Sequence, residues 1–187
     1  MSKVKVGIIG ATGYVGVELI RLLNAHPQVE LSAIGSNSFV DKSITEVYPS
    51  VGIGNDMKCM KNEDVIKNSD LIFTALPHGV SEEFVLQAVK EGKKVVDLGA
   101  DFRLKDEATF KEWYNLSFID KKLHEEAVYG LCEHYKDEIK NAKVIANPGC
   151  YVTSISLPLM PLLKEKLIKK EGIVADSKSG VTGAGRG

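Results

Sequence analysis

The chain has 187 residues, 44% hydrophobic and 26% charged, which is enough for one well-buried domain and the beginning of another. A formal net charge of -1 offers no basic surface to a nucleic-acid backbone or an anionic membrane, and no stretch reaches the roughly 20 apolar residues of a membrane span. The N-terminus runs into a β-like segment rather than a signal-peptide pattern, and Cys59, Cys132 and Cys150 share no metal-ligand spacing; the expectation is a cytoplasmic protein with free thiols that engages no nucleic acid, membrane or metal.

Along the chain, short β-branched runs alternate with longer amphipathic segments, the pattern of βα units around a parallel sheet. Val4 to Ile9 reads as the first strand and runs into Gly10-Ala11-Thr12-Gly13-Tyr14-Val15-Gly16. In the helix that follows, Val15, Leu19, Leu22 and Leu23 fall on one face at helical spacing, and Asn24 to Pro27 stops it. A glycine turn between a first strand and a helix lets backbone amides approach a pyrophosphate while the helix N-terminus favours its charge, so Gly10, Thr12, Gly13, Tyr14 and Val15 are candidate dinucleotide contacts. The turn carries one residue more than the usual G-x-G-x-x-G.

Val29 to Ile34 is the second strand. Where an NAD-preferring domain places an acid on the ribose, this chain has Gly35-Ser36-Asn37-Ser38. NADP is therefore the expected cofactor, with Ser36 and Ser38 donating to its 2′-phosphate, and Lys42 either adding charge there or standing as a solvated loop lysine. Met57 to Met60 is a weaker strand candidate and Leu71 to Leu76 a strong one. The turn Ala75-Leu76-Pro77-His78-Gly79 then lies at the carboxyl edge of the sheet, so that Pro77 and His78 line the dinucleotide groove. Ser81 reads as the N-cap of a helix with Glu82 and Glu83 in its first turn and Gly92 at its end.

Val95 to Leu98 is a further strand, and Arg103, just past its carboxyl end, is placed either to grip a substrate carboxylate or phosphate or to pair with a structural acid. Residues 101–140 mix charges and scattered aromatics, which predicts short helices in a connecting excursion. After the strand Val144 to Ala146, Asn147-Pro148-Gly149-Cys150-Tyr151 turns into a helix and leaves Cys150 near its N-terminus, where the dipole and unpaired amides favour a thiolate that can attack an acyl carbon. Cys59 and Cys132 read as structural. An apolar run from Val152 to Leu163 is interrupted by Pro158 and Pro161, Ile173 to Ala175 is expected to open a second sheet, and the glycine-rich end from Ser179 reads as a truncation inside a loop. The fold expected is α/β: a Rossmann-type parallel-sheet NADP-binding domain over residues 1–149, followed from residue 150 to 187 by the start of an α+β catalytic and dimerisation domain.

Five segments, Gly10 to Gly16, Leu76-Pro77-His78-Gly79, Asp97 to Arg103, Asn147 to Tyr151 and Ser179 to Arg186, together resemble the N-acetyl-γ-glutamyl-phosphate reductase family of arginine biosynthesis, in its order and across the whole chain. The resemblance implies NADPH-dependent reduction of N-acetyl-γ-glutamyl phosphate to N-acetylglutamate semialdehyde with release of inorganic phosphate, through a thioester on Cys150, in a homo-oligomer. It places Gly183 beside the nicotinamide and Arg103, Asn147, Ser179, Gly180 and Arg186 around the substrate. It also implies about as much chain again, carrying a histidine acid/base whose context none of His26, His78, His124 and His134 matches, so that this chain alone would bind NADP and turn over slowly or not at all. Family members usually carry proline where Cys132 and Val152 stand.

Two rivals remain at this point. An aspartate-semialdehyde dehydrogenase shares the plan, but Gly149 and Tyr151 around Cys150, together with Asp101-Phe102-Arg103, favour the arginine pathway. A non-catalytic NADP-binding module would leave a cysteine at a helix start near Arg103 without explanation.

Overall fold

The computed structural model describes residues 2–49, 51 and 56–185. In chain order it contains β1 (Val4–Ile9), α1 (Tyr14–Asn24), β2 (Val29–Gly35), α2 (Ile44–Val47), α3 (Asn62–Lys67), β3 (Leu71–Thr74), α4 (Ser81–Lys90) and β4 (Lys94–Asp97). There follow α5 (Glu107–Tyr114), α6 (Lys121–Glu126), β5 (Val128–Tyr129), α7 (Cys132–Asn141), β6 (Val144–Ala146), α8 (Cys150–Lys164) and a 3-10 turn at Val181–Ala184. The strands form one six-stranded sheet in the order β2-β1-β3-β4-β6-β5, every pair parallel. This is the Rossmann-type doubly wound plan expected from the alternation of β-branched and amphipathic runs.

Both faces of the sheet are covered, which is why its central strands are apolar runs rather than alternating ones. Side chains alternate across the pleat. Ile8 and Ile34 therefore join Ala11, Ile20, Ile44 and Cys59 in one core, while Ile9, Ala33, Ile72, Val95 and Val144 join Val65, Val85, Phe102 and Leu123 in the other. The register of β1 against β2 slips between Val6 and Gly7, and the extra residue, Ser32, sends its hydroxyl to the carbonyl of Val6 at 3.2 Å.

Several expectations need correction. Val15 and Leu22 of α1 are half exposed, whereas Gly16 and Ile20 are buried with Leu19 and Leu23 packed alongside. The rotation of α1 is set at Gly16, because a Cβ there would stand 2.4 Å from the Gly10 carbonyl oxygen. The bare face must turn inward, and it carries Val15 and Leu22 outward.

Ser81 is not an N-cap; Val80 is, and Ser81 is the first residue of α4. Met57 to Met60 forms only isolated bridges, Met60 to Gly35 and Lys58 to Ser43. The run with Pro158 and Pro161 is one continuous helix, α8, since each proline removes a single rung of the ladder. Ile173 to Ala175 is not a strand: strand pairing needs a hydrogen-bonded neighbour, and among the described residues none lies alongside. None of the described residues of α8 is buried. No helix among the described residues is long and apolar enough to cross a membrane.

Candidate active site

The sheet order makes β1 and β3 neighbours whose connections leave in opposite directions, α1 leading to β2 and α4 to β4. Such a switch point opens a crevice beyond the carboxyl ends of the strands. At this switch point Gly10 follows β1 and Ala75 follows β3, and the two are packed against each other. Gly10 has φ +83°, and a Cβ on it would stand 2.3 Å from the Ala75 carbonyl oxygen. The amide of Gly13 donates back to the Gly10 carbonyl at 3.2 Å, and α1 begins behind Gly13 with no side-chain cap. A helix start whose amides no side chain occupies, reached by a turn with no room for a Cβ at Gly10, suits an anion approached by backbone.

The hydroxyl of Thr12 lies 2.9 Å from that of Ser36, and the Tyr48 hydroxyl donates to the Thr12 carbonyl at 2.9 Å. The glycine turn is thus tied to the loop after β2. Ser36 is buried while Ser38 is exposed. Lys42 lies 3.6 Å from Glu46 on the surface, and an exposed pair of that kind contributes little. Asn37 accepts from the Asn62 amide at 3.1 Å.

On the other side of the crevice, Pro77, His78 and Gly79 are exposed. The His78 ring meets Tyr114 edge-on at 5.5 Å. The base of this loop is held by Asp101, a buried carboxylate that accepts from the Gly79 amide at 2.7 Å, the Ser81 amide at 3.1 Å and the Ser81 hydroxyl at 2.7 Å. Asp97, at the end of β4, accepts from the Thr74 hydroxyl at 2.7 Å and the Gly99 amide at 3.2 Å. Burial, and after it the neighbouring charge of Asp101, pushes the Asp97 carboxyl up, against the pull of its hydrogen bonds.

Cys150 is the first residue of α8, exposed, behind the extended N-cap Gly149. Thr153 closes the turn, its amide and hydroxyl both donating to the Gly149 carbonyl, at 3.0 and 2.9 Å. Arg103 staples this turn to β4: Nε donates to the Asn147 carbonyl and Nη2 to the Leu98 carbonyl, each at 2.8 Å. Its Nη1 lies 3.2 Å from where a Gly149 Cβ would stand. Arg103, Asn147 and Cys150 are therefore brought together, with backbone carbonyls rather than an acid as the arginine's partners. Cys59 is buried, and burial pushes its thiol up; Cys132 is exposed at the start of α7.

Ser179, Gly180 and Gly183 lie on an exposed turn closed by the Gly183 amide on the Gly180 carbonyl at 2.9 Å. Among the described residues, no hydrogen bond joins that turn to the glycine turn or to Cys150. Arg186 lies outside the described residues. Of the histidines, His124 is fully buried, stacked against Phe118 and Phe102 and within 3.0 Å of Glu82.

Sequence reasoning missed Asp97 and Asp101 as site-building residues. The available signal was a pair of acids four residues apart, at and just after the end of the apolar strand in Val95-Val96-Asp97-Leu98-Gly99-Ala100-Asp101.

Residues 5–142 match the semialdehyde dehydrogenase NAD binding domain, and residues 150–187 match the semialdehyde dehydrogenase dimerisation domain. The chain belongs to the semialdehyde dehydrogenase family. Within it, the chain is 52% identical over 183 residues to a protein of Clostridium kluyveri named N-acetyl-gamma-glutamyl-phosphate reductase, covering 98% of this chain and 53% of the relative. A protein of the same name from Pelotomaculum thermopropionicum is 50% identical over 186 residues, covering 98% and 54%. The chain spans about half the length of the curated relatives it matches.

Among solved structures, aspartate semialdehyde dehydrogenase with NADP from Candida albicans aligns with TM-score 0.61 at 20% identity, over 88% of this chain and 48% of that one. Aspartate semialdehyde dehydrogenase II from Vibrio cholerae aligns with TM-score 0.63 at 18% identity, over 88% and 43%. At such identities the likeness speaks for the fold.

Proposed function

We propose that the protein is a cytoplasmic, homo-oligomeric enzyme of arginine biosynthesis that reduces N-acetyl-γ-glutamyl phosphate to N-acetylglutamate 5-semialdehyde with NADPH, releasing inorganic phosphate. The observation that carries this is the exposed Cys150 at the first position of α8, one residue after Gly149, which the Arg103 guanidinium flanks, on the carboxyl edge that also bears the glycine turn. The names of relatives about half identical to this chain favour the arginine-pathway substrate over aspartyl phosphate.

Gly10, Thr12, Gly13, Tyr14 and Val15 would hold the pyrophosphate, Ser36 and Ser38 the 2′-phosphate, and Pro77 and Gly183 the nicotinamide end. The fit rests on the close approach at Gly10 and Gly16 and on the uncapped start of α1. Residues 1–149 would form the dinucleotide domain, and residues from 150 onward would belong to the catalytic and dimerisation domain.

Cys150 Sγ attacks the acyl carbon of the substrate, the bond to the phosphate oxygen breaks, and inorganic phosphate leaves with that electron pair, producing a thioester. Arg103, Asn147, Ser179, Gly180 and Arg186 orient the substrate around that carbon. When bound, NADPH supplies the hydride that reduces the thioester to the aldehyde and returns the Cys150 thiolate.

The acylation half is tested by mixing the chain with the acyl phosphate and following phosphate release and the mass of the Cys150 peptide. A stoichiometric burst of phosphate with an acyl adduct on Cys150, both lost in Cys150→Ala, is the expected result. No adduct on Cys150 would overturn the assignment. Titration with both reduced cofactors should show tighter binding of NADPH than of NADH.

A further inference from the structure

The segment Leu98–Arg103 touches both halves of the site. Ala100 and Phe102 are buried, so its path is pinned by the core. Between them, Asp101 turns its carboxylate into the base of the Pro77–Val80 loop and receives three donors there, the amides of Gly79 and Ser81 and the Ser81 hydroxyl. Val80 caps α4 without a side-chain bond, so the carboxylate that satisfies the helix start comes from 20 residues further along the chain. Two positions after Asp101, Arg103 holds the carbonyl of Asn147 in the turn that carries Cys150.

The loop itself is exposed from Pro77 to Val80 and belongs to no helix or strand. A carboxylate that takes three donors is among the stronger ties a loop can have, because the two Ser81 donors left without it would be buried and unpaired. None of these bonds is needed to build the sheet, which is complete through the β3 and β4 ladder.

We propose that Asp101 is a positioning residue for the cofactor. Its carboxylate holds the Pro77–Val80 loop in the conformation that meets the dinucleotide, and its place two residues before Arg103 couples that conformation to the Cys150 turn. This rests on the reading of the carboxyl edge as an NADP site.

The test is NADPH affinity, measured by energy transfer from Trp113, in the chain and in Asp101→Asn, Ser81→Ala and Glu82→Gln, at a temperature where circular dichroism shows every variant folded. Asp101→Asn keeps the shape but turns an amide donor toward donors. Ser81→Ala removes one of the three bonds and keeps the proposal testable if Asp101→Asn does not fold. Glu82→Gln is the control for general loosening: Glu82 is buried on the same helix, but its partners are the amides of Ile119 and Asp120 and the ring of His124, and it makes no hydrogen bond to the Pro77–Val80 loop.

The expected result is NADPH binding weakened at least about tenfold by Asp101→Asn, by a smaller factor in Ser81→Ala, and unchanged in Glu82→Gln at comparable loss of thermal stability. Asp101→Asn and Ser81→Ala binding NADPH as the parent does would overturn the proposal, as would equal weakening in Glu82→Gln. Failure of the parent chain to bind NADPH would instead remove the NADP reading, and the proposal with it.

Discussion

Replacing Asp97 by asparagine should flatten a fall in stability that the parent chain shows as pH rises above the ordinary carboxylate range. Asp97 is 0% exposed, and its Oδ2 has no hydrogen-bond partner while Oδ1 takes Thr74 and Gly99. Burial first, and the Asp101 charge after it, push this carboxyl up. An acid with a raised folded-state pKa binds its proton more tightly folded than unfolded. Its stabilising contribution is complete below the unfolded value, near about pH 4, and is lost as pH rises through the folded value.

Within that window a single proton gives a slope of up to about 1.4 kcal/mol per pH unit. The asparagine has no proton to lose, and its Oδ1 still accepts from Thr74 and Gly99. Urea unfolding followed by circular dichroism, in steps from about pH 4 to 8, should show Asp97→Asn gaining on the parent as pH rises. A stability difference that stays constant with pH would refute the reasoning.

Two further outcomes follow from the geometry. Gly16→Ala places a Cβ 2.4 Å from the Gly10 carbonyl oxygen and 2.6 Å from Ala11 Cα, so α1 must lift from the turn; the expected loss is about 1–3 kcal/mol, read as a lower melting temperature by calorimetry. Iodoacetamide should label the exposed Cys132 and Cys150 in the native chain and reach Cys59, 2% exposed with its thiol pushed up by burial, only on unfolding; mass spectrometry of native Cys59 labelled as fast as the others would contradict the burial assigned to it.

The parts of this protein that local chemistry dictates were legible in its sequence. Strands announced themselves as short β-branched runs and α1 by its helical period, and the glycine turn after β1 stood out because only a residue without a side chain fits beside Ala75. Cys150 stood out because Pro148-Gly149 ends a strand and starts a helix within three residues. Where the reading failed, the deciding partner lay far away in sequence. The outward turn of Val15 and Leu22 follows from packing at Gly16, and Ile173 to Ala175 has, among the described residues, no neighbour that would make its apolar run a strand.

By itself, then, the sequence determined the parallel α/β plan, the glycine turn after β1 and the strand-to-helix turn that carries Cys150, each encoded in a window of a few residues whose conformational limits are intrinsic. Tertiary structure alone decided what Arg103 holds, that the Asp101 carboxylate rather than a Ser81 cap accepts the amide at the start of α4, and that Asp97 is shut away from water. Those outcomes depend on donors and acceptors 20 to 44 residues apart being brought within hydrogen-bond distance, and only the packed sheet sets such distances.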